Sequence, residues 1–273
     1  MKIISVTTVY NEADVLELFV RHHLRFVDHM IVVLHGRSMD DTHGVAAALA
    51  SEGLPLTLLR SDLPGHQQSR ILTEALRTAV GVHQPDLALM LDCDEFVCAS
   101  PGQMVRAALE SLPRDTVTLV PWRTFVPKTE HASWIDAMSH RRCTETPLFS
   151  KVIVPSVFLT PELTVCQGSH AVLQAASETS GVMTRDLWLA HVPIRSSLQA
   201  RQKGLHAWPR QRDNPGHKPG DGFQWESLHE RAVKSGGFSR EELTEIAATY
   251  ACTRHDVCPT LLVDPFTRYV SGL

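Results

Sequence analysis

Two carboxylates, Asp92 and Asp94, sit two residues apart directly after the apolar run Leu87-Ala88-Leu89-Met90-Leu91. Alternate side chains of an extended segment point the same way, so the two acids would share one side. Paired hard oxygen ligands suit Mg2+ or Mn2+, which commonly bridge a protein carboxylate and phosphate oxygens. A cation held in this way acts as a Lewis acid on a departing diphosphate. The competing reading is a polar cluster or helix N-cap after a strand, which acidic residues often supply. The pair alone leaves both readings open.

Such acids must be carried by a scaffold, and the flanking chain describes one. Residues 3–9 form a β-branched apolar run that reads as a buried parallel strand ending at Tyr10-Asn11-Glu12. Residues 13–26 carry apolar side chains at helical spacing. Strands are expected over 30–34, 54–59 and 86–91, and helices over 45–51 and 67–80, with a polar loop at 35–42. This alternation predicts an α/β fold with a single Rossmann-like, mostly parallel central sheet flanked by helices. Ligands of such sheets bind beyond the carboxyl ends of the strands. That rule brings residues 10–12, 35–42 and 92–94 to one rim.

The pattern changes after Pro113. Strands are expected over 117–121 and 151–157, another apolar run over 187–192, and a helix over 195–205. Between them, residues 123–147 read as a long functional loop or lid. Residues 209–222 are rich in Pro, Gly and charge and read as a second loop. Two further helices follow at 225–235 and 240–250, the latter with Ser239 and Glu242 spaced for a capping box. The chain thus divides into a nucleotide-binding half (1–112), an acceptor-side half (113–205) and a helical C-terminal extension (206–273).

Composition narrows the partners. The 273 residues are 43% hydrophobic and 21% charged, which suits a globular core. Lys plus Arg total 26 against 30 Asp plus Glu, a net charge of −4, so nothing draws the chain to nucleic acid or anionic membrane. The six cysteines form no CxxC pair and read as reduced thiols, although Cys252 and Cys258 would be spaced to pair in an oxidising compartment. The N-terminus enters a strand directly without a signal-peptide pattern, and no apolar run is long enough to span a bilayer. A cytoplasmic protein is expected, touching a membrane only through a substrate or partner.

Taken in order, these segments resemble a known family. Asp92-Cys93-Asp94-Glu95-Phe96 resembles the DxDEF signature of family-two-like glycosyltransferases with the GT-A fold. Tyr10-Asn11-Glu12 resembles their xNE start, and Ser38-Met39-Asp40-Asp41-Thr42 their S-x-D-x-T loop. Lys151-Val152-Ile153-Val154-Pro155 and Gly168-Ser169-His170 look like later motifs of one branch. So do His191-Val192-Pro193-Ile194-Arg195-Ser196, Gln199 and Lys203-Gly204. The resemblance spans roughly residues 1–205 in order.

The resemblance implies transfer of a hexosyl-type sugar from a nucleoside diphosphate sugar, with a UDP-sugar favoured, in the presence of Mn2+ or Mg2+. The acceptor would be a glycan, a lipid-linked sugar or a small molecule. Tyr10, Asn11, Glu12 and Asp40 would lie near the base and ribose. Asp92, Asp94 and His191 would form the metal site, with Asp94 the direct ligand and Asp92 on the ribose or a metal-bound water. Arg195 and Lys203, about two helical turns apart, would hold the diphosphate together with Ser196 at a helix start. Lys151 and Arg70 are further candidates for donor contact, each weighed against a solvated or strand-edge role. Trp134 would face the acceptor.

An inverting transfer needs a base for the acceptor hydroxyl. Glu95, Asp136, Glu145 and His170 are the candidates, and the residues do not choose among them. Two other readings stay open. A nucleotidyltransferase of similar fold predicts a Gly-rich basic loop after the first strand, where this chain has the acidic Tyr10-Asn11-Glu12-Ala13-Asp14. A non-catalytic sugar-nucleotide-binding protein is the third.

Overall fold

The computed structural model describes residues 1–129, 131, 133–252 and 259–270. Its first half alternates as expected: β1 (Ile3–Val9), α1 (Ala13–His23), β2 (His29–His35), α2 (Thr42–Ser51), β3 (Leu56–Ser61), α3 (Gln68–His83) and β4 (Leu87–Asp92). The four strands pair in parallel in the order β3-β2-β1-β4. Their side chains alternate between two apolar layers. Ile3, Met30, Val32, Leu34, Leu87, Leu89 and Leu91 enter the layer covered by α1 and α2. Ile4, Val6, Ile31, Val33, Ala88 and Met90 enter the layer covered by Ile71, Leu72, Leu76 and Ala79 of α3. A strand buried on both faces reads as a nearly continuous apolar run, as β2 and β4 do, while β1 also buries Ser5 and Thr7. Asp14 in the first turn of α1 and Arg21 in its last turn complement the helix dipole.

Beyond β4 the chain turns at once into β5 (Glu95–Ala99), followed by α4 (Val105–Glu110), β6 (Val117–Val126), α5 (Trp134–Ala137), β7 (His140–Arg142) and β8 (Ser150–Pro155). Next come β9 (Leu163–Val165), β10 (Val172–Gln174) and β11 (Ser177–Glu178), which form a small separate sheet. The remaining elements are β12 (Gly181–Met183), β13 (Leu187–His191), α6 (Ser197–Arg212), α7 (Phe223–Lys234), α8 (Arg240–Thr249), β14 (Leu261–Val263) and α9 (Thr267–Val270). The central sheet continues past β4 as β8-β6-β7-β14, with each of these neighbouring pairs antiparallel. It is therefore a mixed sheet, parallel in the nucleotide-side half, flanked by helices.

Three expectations change. The segment 123–147 is in part regular, because β6 runs on to Val126 and α5 and β7 follow. The loop expected from Pro209 starts later, since α6 carries Pro209 inside and ends at Arg212. Residues 95–99, read only as a motif, form a strand against β13 in the register His191↔Glu95. The division at residue 205 falls within α6, and Ile246, Ala247 and Phe266 of the last segment share one apolar cluster with Ile3 and Phe19. The Ser239–Glu242 capping box forms as the spacing predicts. The notional Cys252–Cys258 pair involves Cys258, which lies outside the described residues. Among the described residues, no helix is long and apolar enough to cross a membrane.

Candidate active site

The carboxyl ends of β1 and β4 open on a cleft of about 750 Å³. Tyr10, Asn11 and Glu12 line it from β1, and Asp92, Cys93 and Asp94 from the β4–β5 turn. Trp122 of β6, His170, His191 of β13, and Lys203 and Arg210 of α6 form the other walls. The rim residues therefore meet with the downstream His191 and Lys203.

The two loops at the end of β1 and β2 are clasped together. Ser38 Oγ accepts from Asn11 N at 3.4 Å, Thr42 Oγ1 from Glu12 N at 2.9 Å, and Asp40 Oδ2 from Ala13 N at 2.9 Å. Asn11 Oδ1 returns the contact by accepting from Met39 N at 2.7 Å. Asn11 takes a left-handed φ of 55°, which Asn tolerates better than most residues. Asp40 is thus spent on the start of α1, where a carboxylate also suits the helix dipole, and it is not among the residues lining the cleft.

Asp92 and Asp94 have different partners. Asp92 Oδ1 accepts from Gln68 Nε2 and Oδ2 from Lys151 Nζ, each at 2.5 Å. Lys151, buried on β8, also donates to Gly168 O at 2.7 Å and lies 3.5 Å from Glu95 Oε1. Burial alone would favour its neutral amine, but Asp92 and Glu95 more than reverse this and raise its pKa. Glu95 is fully buried, accepts from Asp92 N at 2.9 Å and is pushed well up by burial against the pull of Lys151. It braces the turn rather than facing an acceptor. Gly168 has φ 76°, and a Cβ there would stand 2.6 Å from the His170 ring. Only glycine presents this carbonyl to Lys151 without displacing His170.

Asp94 is buried. Its Oδ2 accepts from Lys203 Nζ at 2.9 Å, and its Oδ1 lies 4.0 Å from His191 Nε2. Burial raises its pKa, but Lys203, His191 and Arg195 outweigh that and hold the carboxyl well below the usual range. The β5–β13 register delivers His191, whose ring stacks on Trp122 at 4.1 Å. Burial drives its pKa down to about 3, so it is a neutral imidazole with an acceptor nitrogen available. Its Nδ1 is buried and has no partner among the described residues.

Arg195 sits elsewhere than the sequence suggested. Its guanidinium is buried behind the cleft, donating to Asp14 Oδ2 at 2.8 Å, Asp14 Oδ1 at 2.7 Å and Glu12 Oε2 at 2.6 Å. Nη1 donates to Val192 O at 3.2 Å, so no edge is left for a diphosphate. It locks α1 to the chain entering α6. Glu12 is pushed up to about 7 by burial, against the pull of Arg195. Ser196 caps α6 by accepting from Gln199 N at 3.2 Å and does not line the cleft.

Of the remaining candidates, Arg70 is exposed, pairs with Glu74 at 2.9 Å and borders a separate shallow groove. Asp136 is exposed on α5 and Glu145 pairs with Arg142 at 2.9 Å; neither lines the cleft. His170 does line it, with Nδ1 bonded to Ser150 O at 2.7 Å and its pKa brought down to about 4 by burial. Trp134 stacks on Phe266 rather than on an open acceptor surface.

Sequence reasoning missed Gln68, which also accepts from Gly168 N at 3.0 Å, and the wall formed by His66, Arg210, Trp225 and Tyr250. Trp225 Nε1 donates to the Tyr250 hydroxyl at 3.0 Å, and Lys203 Nζ lies 5.2 Å from the Tyr250 ring centre. These aromatics lie beyond the span of the motifs, and no periodic signal sets them apart from packing residues.

A metal would find a partial ligand set here. Asp94 Oδ1 and His191 Nε2 face each other as a hard oxygen and a neutral imidazole, a pair that suits Mn2+ or Mg2+ with phosphate oxygens and water completing the shell. Asp92, with both oxygens already engaged, is not in the same position. Among the described residues no group of three or more His, Cys, Asp or Glu side chains converges as a complete site.

No known family profile matches the chain, and no curated protein matches it in sequence. Among solved structures it is similar to S. aureus TarS in complex with UDP, at 12% identity over 97% of each chain, with a TM-score of 0.43. It is also similar to mannosyltransferase PcManGT from Pyrobaculum calidifontis in complex with GDP-Man and Mn2+, at 20% identity over 44% of this chain and 35% of that one, with a TM-score of 0.32. A third likeness is to glucosyl-3-phosphoglycerate synthase from Mycobacterium tuberculosis in complex with Mn2+, UDP and glucosyl-3-phosphoglycerate, at 18% identity over 45% and 44% of the two chains, with a TM-score of 0.31.

Proposed function

We propose that this protein is a glycosyltransferase of GT-A type that takes a sugar from a nucleoside diphosphate sugar, a UDP-sugar by preference. The acceptor is a glycan, a lipid-linked sugar or a small hydroxyl compound. The observation that carries this reading is the convergence of Asp94, His191 and Lys203 on the cleft that also holds Tyr10, Asn11 and Asp92. Departure of a nucleoside diphosphate builds negative charge, and that charge is best met by groups fixed in advance in a site shielded from water.

Asp94 and His191 would hold a divalent cation, Mn2+ or Mg2+, which when bound supplies Lewis-acid stabilisation of the leaving diphosphate. Lys203 neutralises the buried Asp94 and stands next to the phosphate position as a point charge. Asp92, pinned by Gln68 and Lys151, presents a fixed acceptor for a ribose hydroxyl. Glu95 and Lys151 hold the turn that aims both aspartates.

Isothermal titration with UDP, GDP and CDP in the presence of Mn2+ tests the reading. Binding of at least one is expected. A folded protein that binds none of them overturns it.

A further inference from the structure

The buried and half-buried cations packed around the cleft are matched to acids, with one exception among the described residues. Lys151 pairs with Asp92, Lys203 with Asp94, Arg195 with Glu12 and Asp14, and Arg142 with Glu145. Arg210 has no carboxylate partner among the described residues, although its Nε is buried and makes no hydrogen bond there. Its Cζ rests 3.8 Å from the centre of the Tyr10 ring, and Nη2 makes only a 3.4 Å contact with His66 Nδ1. Both neighbours line the cleft, as does Arg210 itself. A guanidinium stays charged at every accessible pH and is costly to leave unpaired away from water. Burial weakens its hold on the proton, to about 10, and neither histidine can offset this. Burial brings the pKa of His66 down to about 3 and lowers that of His35, with Arg210 adding to both effects.

This position is one residue past Pro209, within the last turn of α6. Proline gives no N–H to the helix ladder, so the last turn is less tightly held than the rest. The ring of Tyr10 offers the guanidinium a cation–π resting place, a weaker interaction than the paired hydrogen bonds an anion would give it. While Arg210 covers that face, it is closed to a nucleobase.

Resting on the glycosyl-transfer reading above, we propose that Arg210 is a donor-binding residue, whose guanidinium leaves the Tyr10 ring to grip phosphate oxygens of the nucleoside diphosphate. The unfulfilled cation in the sugar-nucleotide cleft is then the counter-charge to its anionic ligand. The diphosphate grip expected of Arg195, which precedes α6, passes to a residue near the far end of that helix that has no acid among the described residues to hold it back.

The test compares the wild-type chain with Arg210→Gln and Arg210→Lys at a fixed Mn2+ concentration. UDP, GDP and CDP are titrated by calorimetry, and the matching nucleosides are followed by ligand-observed NMR. Arg210→Gln is expected to weaken the bound diphosphate roughly 10- to 100-fold and leave the nucleoside bound no more weakly than before, since the Tyr10 face is then open. Arg210→Lys is expected to restore only part of the affinity, because an ammonium cannot form the paired contact. Thermal melting without ligand should show Arg210→Gln at least as stable as the wild type, since an unmatched charge has been removed. Diphosphate affinity within twofold of wild type overturns the proposal, as does equal weakening of nucleoside and diphosphate, which would assign Arg210 to the base. A wild-type chain that binds no diphosphate overturns the functional reading itself, and this proposal with it.

Discussion

Lys203 Nζ donates to Asp94 Oδ2 at 2.9 Å, joining two residues 109 positions apart across the floor of the cleft. The contact leaves the other oxygen of Asp94 facing His191. One carboxylate therefore has a structural side and an open side. Its two sides can be separated by mutation.

Lys203→Met would leave Asp94 buried without its ammonium. A loss of about 3 kcal/mol in urea unfolding is expected, because an uncompensated buried charge is penalised more than the pair is favoured. Adding Asp94→Asn to that variant should recover much of the loss. Strict additivity of the two single changes would contradict the pairing.

On the open side, Asp94→Asn and His191→Gln are each expected to weaken Mn2+ binding by at least about tenfold, measured with UDP present. Asp92→Asn should alter Mn2+ affinity much less, because both Asp92 oxygens already serve Gln68 and Lys151. An Asp92 effect as large as that of Asp94 would return Asp92 to the metal shell.

Arg195→Met should destabilise the fold by about 3 kcal/mol, since half-buried Glu12 and partly exposed Asp14 lose the buried guanidinium that they share. Arg195→Lys should not rescue it, because a single ammonium cannot reproduce the fork. Wild-type stability combined with lost UDP affinity would mean that Arg195 binds donor after all.

The buried histidines of α1 set a pH dependence. His22 Nε2 bonds to Val97 O at 2.9 Å, and burial brings its pKa down to about 4. The unfolded value is about 6.5. Above that pH both states are neutral at this position. As pH falls from about 6.5 to 4, the unfolded chain takes up a proton that the folded chain refuses, and stability falls by up to about 1.4 kcal/mol per pH unit. His23, lowered well below its ordinary value by burial, acts in the same direction. Unfolding measured across this window should show the decline, and His22→Gln should lessen it, the other buried histidines keeping the remainder. An unchanged slope in the variant would remove His22 from the account.

The parallel half of the sheet was readable because its strands are apolar on both faces and its helices periodic, so β1, β4 and α3 declare themselves within a few residues. β5 does not. Its pairing partner β13 lies about 90 residues further on, and Glu95-Phe96 reads as a signature before it reads as a strand. The acids of the site were legible as a pattern, but their partners were not. Arg195 looked like a phosphate ligand until Asp14, 181 positions away, was found against it. Arg210 was hidden in a segment whose Pro, Gly and charge suggested a loop, although α6 carries on through Pro209. Charge pairing over such separations is decided by tertiary packing, and local composition holds no trace of it.

The clasp between residues 38–42 and 11–13 bears on how this rim can change over generations. Three side chains of one loop satisfy three successive amides of the other. A descendant that exchanged either loop alone would strand donors on its neighbour, and each bare amide would count against it. The two loops should therefore be inherited as one cassette, and new donor preferences should arise from the later wall around Trp225 and Tyr250, where no such mutual obligation holds the first strand hostage.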